Sequence, residues 1–196
     1  MELAKSRGYE VTAFVRDGKR SKEEVSSMFP GVNIVYGDVL IETDVEKAIS
    51  SEDATLSTLG VPGNSRLRVV SEGTNNIISA MKKFHVDRLV VESAHGASES
   101  AKEVPFPLGF FMRRVLLRGA FEDKDRMEKA IRESGLDWTI VRPTKLTDGP
   151  KRGKYRYGEG IRRGLLPEIS RADVADFMLN QLESKEFSRK APTISY

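Results

Sequence analysis

Side chains able to bind anions or move protons follow several of the apolar runs in this sequence. Arg16 and Arg20 come after the first apolar run, residues 9–15. A guanidinium suits a phosphate because its planar fork donates two parallel hydrogen bonds. His95 follows the fourth apolar run, residues 88–92. An imidazole can release a proton near neutral pH. The pattern therefore predicts anion binding and proton transfer at the ends of these runs. A basic surface turn at Arg16 and a solvent-facing loop at His95 are the alternatives.

The composition excludes several other kinds of chemistry. The 196-residue chain has no cysteine and two histidines, His85 and His95. Disulfides, thiolate nucleophiles and thiolate-bound metals are therefore impossible. Two histidines alone cannot build a structural zinc site, so we expect no metal.

The charge pattern favours a small anionic ligand over a nucleic acid. The net charge of +3 is slight, and basic residues cluster at 113–114, 151–154 and 162–163. Such clusters are more often solvated loops or sites for small anions than nucleic-acid patches. The most apolar stretch, 105–117, is interrupted by two arginines and is too short to span a membrane. The N-terminus is charged and lacks the apolar core of a signal peptide, so we expect a cytoplasmic protein.

Apolar periodicity divides the chain into alternating strands and helices. Runs rich in β-branched and aromatic residues predict strands at 9–15, 32–36, 54–59, 88–92 and 138–141, with a short edge strand at 193–196. Helical spacing and capping signals predict helices at 2–7, 21–28, 44–50, 69–84, 121–134 and 170–182, the last with Ser170 as N-cap. Alternation of this kind requires crossover connections. It therefore predicts one α/β domain, residues 1–196, with a parallel sheet covered on both faces.

Two irregular insertions interrupt the alternation, at residues 98–118 and 147–168. They follow the fourth and the fifth predicted strands. Open α/β sheets bind their ligands at the carboxyl ends of the strands. We therefore expect the functional site at this edge of the sheet, next to both insertions.

Six short sequence segments resemble those of one protein family, both in their residues and in their order along the chain. They are Gly8-Tyr-Glu-Val-Thr-Ala-Phe-Val-Arg-Asp17, Gly37-Asp-Val-Leu40, Ser71-Glu-Gly73 with Asn76-Ile77, Arg132-Glu-Ser-Gly-Leu136, Val141-Arg-Pro143 and Ile169-Ser-Arg-Ala-Asp-Val174. On these segments the chain resembles the atypical short-chain dehydrogenases/reductases of the NAD(P)H-binding type, close to flavin reductase (biliverdin-IXβ reductase). The resemblance implies a Rossmann-like, doubly wound parallel sheet that binds a nicotinamide dinucleotide.

The sequence departs from that family at its beginning. Members resembling this chain open with a strand and a G-x-x-G-x-x-G turn, roughly twenty residues before the segment 8–17, whose amides hold the pyrophosphate. Seven residues precede the segment here, so the resemblance predicts a sheet truncated by one N-terminal strand. A truncated sequence, a natural variant and a strand supplied by another chain are the three explanations. A central gap would expose backbone groups, at a cost of about 1–3 kcal/mol for each buried group left unsatisfied.

The resemblance assigns the adenosine half of the dinucleotide to the first two strands. An acid after the first strand would bind the ribose 2′-hydroxyl of NAD, whereas an Arg accommodates a 2′-phosphate. Arg16 and Arg20 therefore imply NADP, and the nearby Asp17 leaves NAD open. Asp38 is implied to accept from the adenine amino group while Val39 packs on the ring. A cap or turn role is the alternative for Asp38.

The nicotinamide half is assigned to the ends of the third and fifth strands. Leu59 and Gly60 are implied to pass close to the cofactor, since glycine permits a close approach of the backbone; a plain turn is the alternative. Pro143 fixes the turn after the fifth strand. Thr144 and Lys145 offer hydrogen-bond donors there, where the family places backbone against the carboxamide.

The catalytic residues typical of the broader family are only partly present. Ser93 matches the first of two adjacent hydroxyl positions, but Ala94 occupies the second, which usually supplies the catalytic serine. The Tyr-x-x-x-Lys pair falls at Ala120 and Lys124, so the tyrosine is missing. Lys124 is implied to bind the nicotinamide ribose; an exposed helix lysine paired with Glu128 is the alternative.

A reductase without a tyrosine acid remains the leading functional interpretation. We expect direct hydride transfer from NADPH to a planar acceptor, flavin-like or quinone-like, with the proton taken from solvent. The apolar segment 106–112 and the rings of Tyr155 and Tyr157 could contact that acceptor; the segment could equally be a packing loop or a homo-oligomer contact. The alternative function is a non-catalytic NADP-sensing or protein-interaction module.

Overall fold

The computed structural model describes residues 1–16, 18, 22–60, 68–104, 115, 117–161 and 167–196. Arg20, expected at the ribose phosphate, lies outside the described residues. So do Asp17 and the apolar segment 106–112 that was expected to contact an acceptor. Every predicted strand and most of every predicted helix fall within the described ranges.

The helices form close to the positions that the apolar spacing predicts. They are α1 (Glu2–Ser6), α2 (Lys22–Met28), α3 (Glu42–Ile49), α4 (Val69–Lys83), α5 (Arg118–Glu133) and α6 (Arg171–Glu183), and a 3₁₀ helix covers Ser98–Glu103. The predicted N-cap of α6 is confirmed, because the Ser170 hydroxyl oxygen accepts a hydrogen bond from the Asp173 amide at 3.1 Å. Gly8 follows α1 with a φ of +85°, a conformation that favours glycine.

The strands in the described residues form three hydrogen-bonded groups. Their bounds are β1 (Thr12–Val15), β2 (Asn33–Tyr36), β3 (Ala54–Ser57), β4 (Arg88–Glu92), β5 (Asp137–Pro143), β6 (Lys145–Thr147), β7 (Arg156–Gly158), β8 (Glu168–Ser170) and β9 (Thr193–Ser195). The largest group has the order β3-β4-β5-β9-β7, and all its neighbours are parallel except β7 and β9. Two parallel pairs, β1-β2 and β6-β8, complete the set. The predicted α/β class with a mainly parallel sheet is confirmed.

Two expectations about the C-terminal half are wrong. The last strand was expected at a sheet edge, but β9 lies between β5 and β7, and Ile194 pairs with both Pro143 and Tyr157. The insertion 147–168 was expected to be irregular, yet it contains β7. A three-residue strand has too few positions to show an alternating apolar pattern, which is why the sequence did not indicate it.

Both faces of the central strands are covered by helices, as a doubly wound sheet requires. Leu89 and Val91 of β4 belong to a core cluster with apolar side chains of α3, α4 and α5. Val90, between them, points into a second cluster that contains Val174 and Met178 of α6. Neighbouring residues of one strand thus serve opposite faces.

The backbone hydrogen bonding is interrupted between β1 and β3. Among the described strands, β1 pairs with β2 and β3 pairs with β4, and no ladder joins the two groups. Phe14 of β1 nevertheless packs against the same core cluster as Leu89 of β4. Side-chain packing therefore continues where the hydrogen-bonded ladder does not. None of the described helices has the length and apolar character that crossing a membrane demands.

A buried carboxylate of α5 holds the first turn of α4. Asp123 accepts hydrogen bonds from the amides of Val70, at 3.0 Å, and Ser71, at 3.1 Å. It also accepts a short hydrogen bond from the Ser71 hydroxyl. The first amides of a helix have no partner within the helix, and here a neighbouring helix supplies one. This link fixes α4 against α5, the helix that carries Lys124.

We expect Asp123→Ala to lower the free energy of unfolding by about 2–4 kcal/mol, because it leaves two buried amides and a hydroxyl without their acceptor. Urea unfolding of the variant and the parent measures the loss. Glu133→Ala, an exposed change near the end of the same helix, serves as the control and should stay within about 0.5 kcal/mol of the parent. Equal losses in the two variants would contradict the capping role.

Candidate functional site

A cavity of about 690 Å³ opens where β3, β4 and β5 end, which is enough volume for a small organic ligand. Residues at or directly after the carboxyl ends of these strands form one side of it: Thr58, Leu59, Gly60, Ser93, Ala94, Pro143 and Thr144. Parallel strands that end together present their last residues at the same edge of the sheet. The expectation that a site lies at this edge agrees with the position of the cavity.

The rest of the cavity lining combines apolar and cationic side chains. Lys124 reaches it from α5, and Arg171, Val174 and Met178 reach it from α6. Leu146 of β6 adds a further apolar surface. An apolar cavity with a few charged groups has the composition of a site for a small organic molecule that carries polar substituents.

Glu92 and Lys124, a carboxylic acid and an amine, both line the cavity. Burial raises the pKa of Glu92, and the positive charges of Lys124 and Arg171 offset part of this effect. Burial lowers the pKa of Lys124, against the attraction of Glu92, Glu128 and Asp123. Burial thus moves both groups towards their neutral forms. Groups whose pKa is displaced inside a cleft are candidates for proton transfer.

A buried ion pair stands behind this wall. Arg142 of β5 donates to both carboxylate oxygens of Glu128 on α5, at 3.0 Å from its Nε and through a short bond from Nη2. The side chains are 3% and 0% exposed. Glu128 Oε1 also accepts from the Ser93 hydroxyl at 2.6 Å. The pair therefore connects β5, α5 and the turn after β4.

The same arginine also reaches the insertion after β4. Arg142 Nη1 donates to Glu99 of the 3₁₀ helix at 3.0 Å, and Arg132 donates to the same carboxylate at 2.7 Å. The hydrogen bond from Arg142 lowers the pKa of Glu99 to about 2. Burial disfavours the charge on Arg142, but the hydrogen bonds that Arg142 donates to Glu128 and Glu99 outweigh this effect, and the pKa of Arg142 is raised.

Six of the residues expected at the site meet in this cavity. They are Leu59, Gly60, Ser93, Lys124, Pro143 and Thr144. Lys124 lines the cavity, so the picture of an exposed helix lysine does not describe it. The Ser93 hydroxyl donates to a buried carboxylate, which holds its side chain in a fixed orientation.

The donors expected from the turn after β5 are already used within the sheet. The Thr144 amide donates to the Ile194 carbonyl at 3.1 Å, and the Lys145 amide donates to the Pro167 carbonyl at 3.2 Å. The Thr144 hydroxyl lies 3.2 Å from the Ser195 hydroxyl. Lys145 is exposed and is not among the residues that line the cavity.

His95 and the two tyrosines of the second insertion lie away from the cavity lining. The His95 amide donates to the Pro143 carbonyl at 2.9 Å, and its ring nitrogen Nδ1 lies 3.8 Å from Glu103. Tyr155 and Tyr157 pack on each other with ring centroids 6.1 Å apart, and Tyr155 donates to Asp176 at 3.0 Å.

The residues expected at the adenosine half follow β1 and β2, apart from the cavity. Arg16 is exposed directly after β1. Asp38 accepts from the Leu40 amide at 2.9 Å, which is the turn role that was the alternative for it. Val39 is 8% exposed and belongs to the core cluster, where it packs against Gly73.

The cavity has the open space and the apolar side chains that suit a planar ring. A Cβ atom built at Gly60 would meet no heavy atom within 4 Å, so open space faces the backbone at this point. The neighbouring Leu59 and Ala94 are apolar, as a planar ring requires. In the described part of the chain, no three His, Cys, Asp or Glu side chains form a group that could hold a metal ion.

Sequence reasoning missed four charged residues of the site. Glu92, Glu128, Arg142 and Arg171 line the cavity or support its wall. Glu92 and Arg142 terminate or interrupt strongly apolar runs, and an isolated charge in a buried strand is the available signal, because buried charges need partners. Glu128 offered no such signal, since its helix is rich in charged residues on all sides.

A doubly wound parallel sheet, a cavity at the carboxyl ends of three strands and a lysine in its wall define a dinucleotide-binding domain of the Rossmann type. The sequence profile described as NAD(P)H-binding matches residues 1–185. The chain belongs to this NAD(P)H-binding family.

Curated relatives include plant and bacterial proteins. The chain is 31% identical over 195 residues to the chloroplastic divinyl chlorophyllide a 8-vinyl-reductase of Cucumis sativus, covering 92% of this chain and 45% of that protein. It is 29% identical over 184 residues to an uncharacterized chloroplastic protein of Arabidopsis thaliana, covering 87% and 65%. The chain thus spans less than two thirds of the length of both plant relatives.

Solved structures of similar fold include reductases. The anaerobilin reductase ChuY of Escherichia coli O157:H7 matches with a TM-score of 0.78 at 20% identity, over 98% of this chain and 87% of that one. A short-chain dehydrogenase/reductase of Veillonella parvula in complex with NADP matches with a TM-score of 0.76 at 19% identity, over 95% and 82%. At these identities the likeness concerns the fold.

We expect Glu128→Ala to lower the free energy of unfolding by about 3–5 kcal/mol, because Arg142 then remains buried without its partner. The double variant Glu128→Leu/Arg142→Met should recover most of this loss, since it removes both charges and keeps the volume. Urea unfolding of both variants measures the effect.

The exposed pair Arg118 and Glu122 supplies the matched control. Glu122→Ala should change the free energy of unfolding by less than about 1 kcal/mol, because solvent screens an exposed pair. A double variant as unstable as Glu128→Ala would show that packing, rather than the unpaired charge, causes the loss.

Proposed function

We propose that this protein is an NADPH-dependent reductase that transfers a hydride to a planar, conjugated, tetrapyrrole-like acceptor. The observation that carries the proposal is the cavity at the ends of β3, β4 and β5, with Lys124 in its wall. A flavin-like or quinone-like acceptor shares the planar conjugated chemistry. The tetrapyrrole class is favoured because the names of two similar proteins refer to a chlorophyllide and an anaerobilin.

The dinucleotide would supply the hydride from its dihydronicotinamide ring. Leu59 and Gly60 offer the apolar surface and the open space for that ring. Lys124 is placed to bind the nicotinamide ribose, and Arg16 is the described residue suited to a 2′-phosphate. Both assignments are proposals that follow from position and charge.

The protein's own side chains would hold the acceptor and exclude water from it. Leu146, Val174 and Met178 provide an apolar part of the cavity lining. Excluding water from the cavity reduces the screening of the charged side chains that line it. Arg171 at the margin of the cavity suits an acceptor that carries carboxylate groups, because a guanidinium binds a carboxylate with two parallel hydrogen bonds.

We expect the purified chain to oxidise NADPH in the presence of a linear tetrapyrrole, with the acceptor's visible absorbance falling at the same rate. Flavin mononucleotide and a benzoquinone, assayed in parallel, test the other planar acceptors. When NADPH carries deuterium at the C4 position from which the hydride leaves, the deuterium should appear in the reduced acceptor. Absence of NADPH oxidation with all three acceptors would contradict the reductase proposal.

We expect Arg16→Ala to weaken NADPH binding about tenfold while NADH binding changes little, since a tenfold loss corresponds to about 1.4 kcal/mol. Fluorescence titration with each dinucleotide measures the two dissociation constants. Arg126→Ala on α5, another exposed arginine, is the control for lost surface charge. Equal weakening of both dinucleotides by Arg16→Ala would assign this residue a role other than 2′-phosphate recognition.

A non-catalytic NADP-sensing module is the second candidate. It is favoured by Ala94 and Ala120, which stand where the broader family has a catalytic serine and tyrosine, and by the Ser93 hydroxyl that donates to Glu128. Tight NADPH binding without turnover on any acceptor would support this function over the first.

A further inference from the structure

A second pocket, of about 530 Å³, lies beside the segment that leads from β6 into β7. Five residues line this basic pocket: Arg152, Lys154, Tyr155, Arg156 and Tyr196. It shares no lining residue with the cavity at the ends of β3, β4 and β5. Its volume lies in the range of pockets that hold a small molecule. Three of the five side chains are cationic and none is acidic, so the composition suits an anion.

The cationic groups of the basic pocket lack acidic side chains as partners. Within the described ranges, neither Arg152 nor Lys154 forms an ion pair, whereas the neighbouring Lys151 is paired with a carboxylate of α6 at 2.6 Å. Arg156 donates to the backbone oxygen of Tyr196 at 2.9 Å. A terminal carboxylate at Tyr196 would neutralise Arg156 and still leave the other two cations unpaired. Like charges that share a pocket repel each other, and an anion between them relieves that repulsion.

A buried carboxylate of α6 holds the backbone of the basic pocket in place. Asp173 accepts hydrogen bonds from the Gly153 amide at 2.8 Å and from the Arg152 amide at 3.0 Å. It also accepts a short hydrogen bond from the Tyr196 hydroxyl. Gly153 has a φ of +68°, a conformation that favours glycine, and it forms the bend between Arg152 and Lys154. The pocket is therefore built on a buried anchor and exists before any ligand binds.

The guanidinium of Arg152 is oriented by an aromatic ring of the same pocket. Its central carbon lies 4.1 Å from the centroid of the Tyr196 ring, a cation–π contact. A guanidinium stacked on a ring keeps the N–H donors at its edge available, and two of these donors match two oxygens of a phosphate. Because the contact limits the rotamers of Arg152, less conformational entropy is lost when an anion binds.

Tyr155 contributes to the pocket without adding a negative charge. Its ring packs on Phe177 of α6 with centroids 6.2 Å apart, and its hydroxyl donates to Asp176 at 3.0 Å. Burial and the hydrogen bond to Asp176 raise the pKa of the phenol, so Tyr155 remains neutral. The fixed ring lies between Lys154 and Arg156 in the chain and connects the basic pocket to α6.

We propose that the basic pocket binds a small molecule through a phosphate or pyrophosphate group. A phosphate presents several oxygens and up to two negative charges on one atom, so it can contact more than one cation at once. A carboxylate offers two oxygens and one charge. A nucleic acid is bound along an extended basic groove, whereas the net charge of +3 is slight and the cations here line one pocket.

This site gives a role to the basic cluster at 151–154, for which a solvated loop is the alternative. The site is independent of the reductase proposal, because the basic pocket and the strand-end cavity have no lining residue in common. The phosphate can belong to an inorganic anion or to an organic ester, since both present the same group to the cations.

Isothermal titration calorimetry with pyrophosphate, at about 150 mM salt to screen weak surface attraction, tests the site. Arg152→Gln/Lys154→Gln should raise the Kd at least about tenfold, because it removes two charged donors. Arg126→Gln/Lys129→Gln removes the same two residue types from exposed positions of α5 and should change the Kd less than about twofold. Equal weakening by the two double variants would overturn the proposal, as would a parent that does not bind pyrophosphate.

Single variants separate the lost charge from a disturbed fold. Lys154 is exposed, so Lys154→Gln should leave the Tm unchanged and raise the Kd about threefold. Lys154→Arg keeps the charge and should retain the affinity of the parent. This pair remains decisive even where loss of Arg152 displaces the Tyr196 ring. A Kd that is the same in Lys154→Gln, Lys154→Arg and the parent would contradict the proposal.

Further titrations identify the class of ligand. Phenyl phosphate that binds more tightly than inorganic phosphate would support an organic ester, and equal affinities would support recognition of the phosphate group alone. Citrate that binds as tightly as pyrophosphate would overturn the phosphate class. A duplex oligonucleotide that binds more tightly than pyrophosphate, and is lost in Arg152→Gln/Lys154→Gln, would overturn the small molecule in favour of nucleic acid.

One more variant separates the basic pocket from the expected dinucleotide site. Arg16→Ala should leave the Kd for pyrophosphate unchanged, because Arg16 follows β1 and is not part of the pocket lining. A loss of pyrophosphate binding in Arg16→Ala would place the anion at the dinucleotide site and overturn the proposal. None of these measurements uses NADPH or turnover, so failure of the reductase proposal would leave their outcome unaffected.

Discussion

The ion pair between Arg142 and Glu128 is the interaction on which the rest of the site depends. It is buried to within a few per cent and joins β5 to α5, and its oxygens also hold Ser93 after β4. Two charges cannot leave water without mutual compensation, so the strand, the helix and the turn can adopt only the arrangement in which all three groups meet. A hydrophobic pair could give equal stability, but it would not fix the orientation of Ser93 or draw Glu99 towards the strand.

The position of Lys124 follows from that constraint. It precedes Glu128 by four residues, one turn of α5, and therefore lies on the same face of the helix. Once Glu128 is tied to the sheet, Lys124 must point at the same strand ends. Asp123, its neighbour in the chain, lies on the side that faces α4 and accepts from the first turn of that helix. Asp123 thus fixes the helix, and the next residue, Lys124, lines the cavity. A rigidly held helix keeps the Lys124 side chain in a defined position.

Most of the fold and part of the site could be predicted from the sequence. The physical reasons differ between the fold and the site. Long apolar runs and capping residues such as Ser170 act locally, so strands β1 to β5 and the larger helices were predictable. The place of β9 between two strands was not, because pairing partners are set by contacts distant in sequence. Residues that follow strands, such as Gly60 and Ser93, were predictable because parallel strands end at one edge. The ion pair of Glu128 with Arg142 was not, because α5 can present any of its many charges until packing selects one face.

The two ends of the expected dinucleotide site are held together by different interactions. The ends of β3, β4 and β5 share a hydrogen-bonded sheet and a buried ionic network. The ends of β1 and β2, which carry Arg16 and Asp38, are joined to that sheet in the described residues by side-chain packing through Phe14 rather than by a strand ladder. Side-chain contacts, among them the hydrogen bond from Asn76 to the Val39 carbonyl, take the place of a ladder here, so we expect local stability to fall from the cavity towards β2. A dinucleotide that contacted both ends would lower the free energy of the closed arrangement by its binding energy. Its binding would therefore order the adenosine end most, because the cavity at the ends of β3, β4 and β5 is already held by their shared sheet.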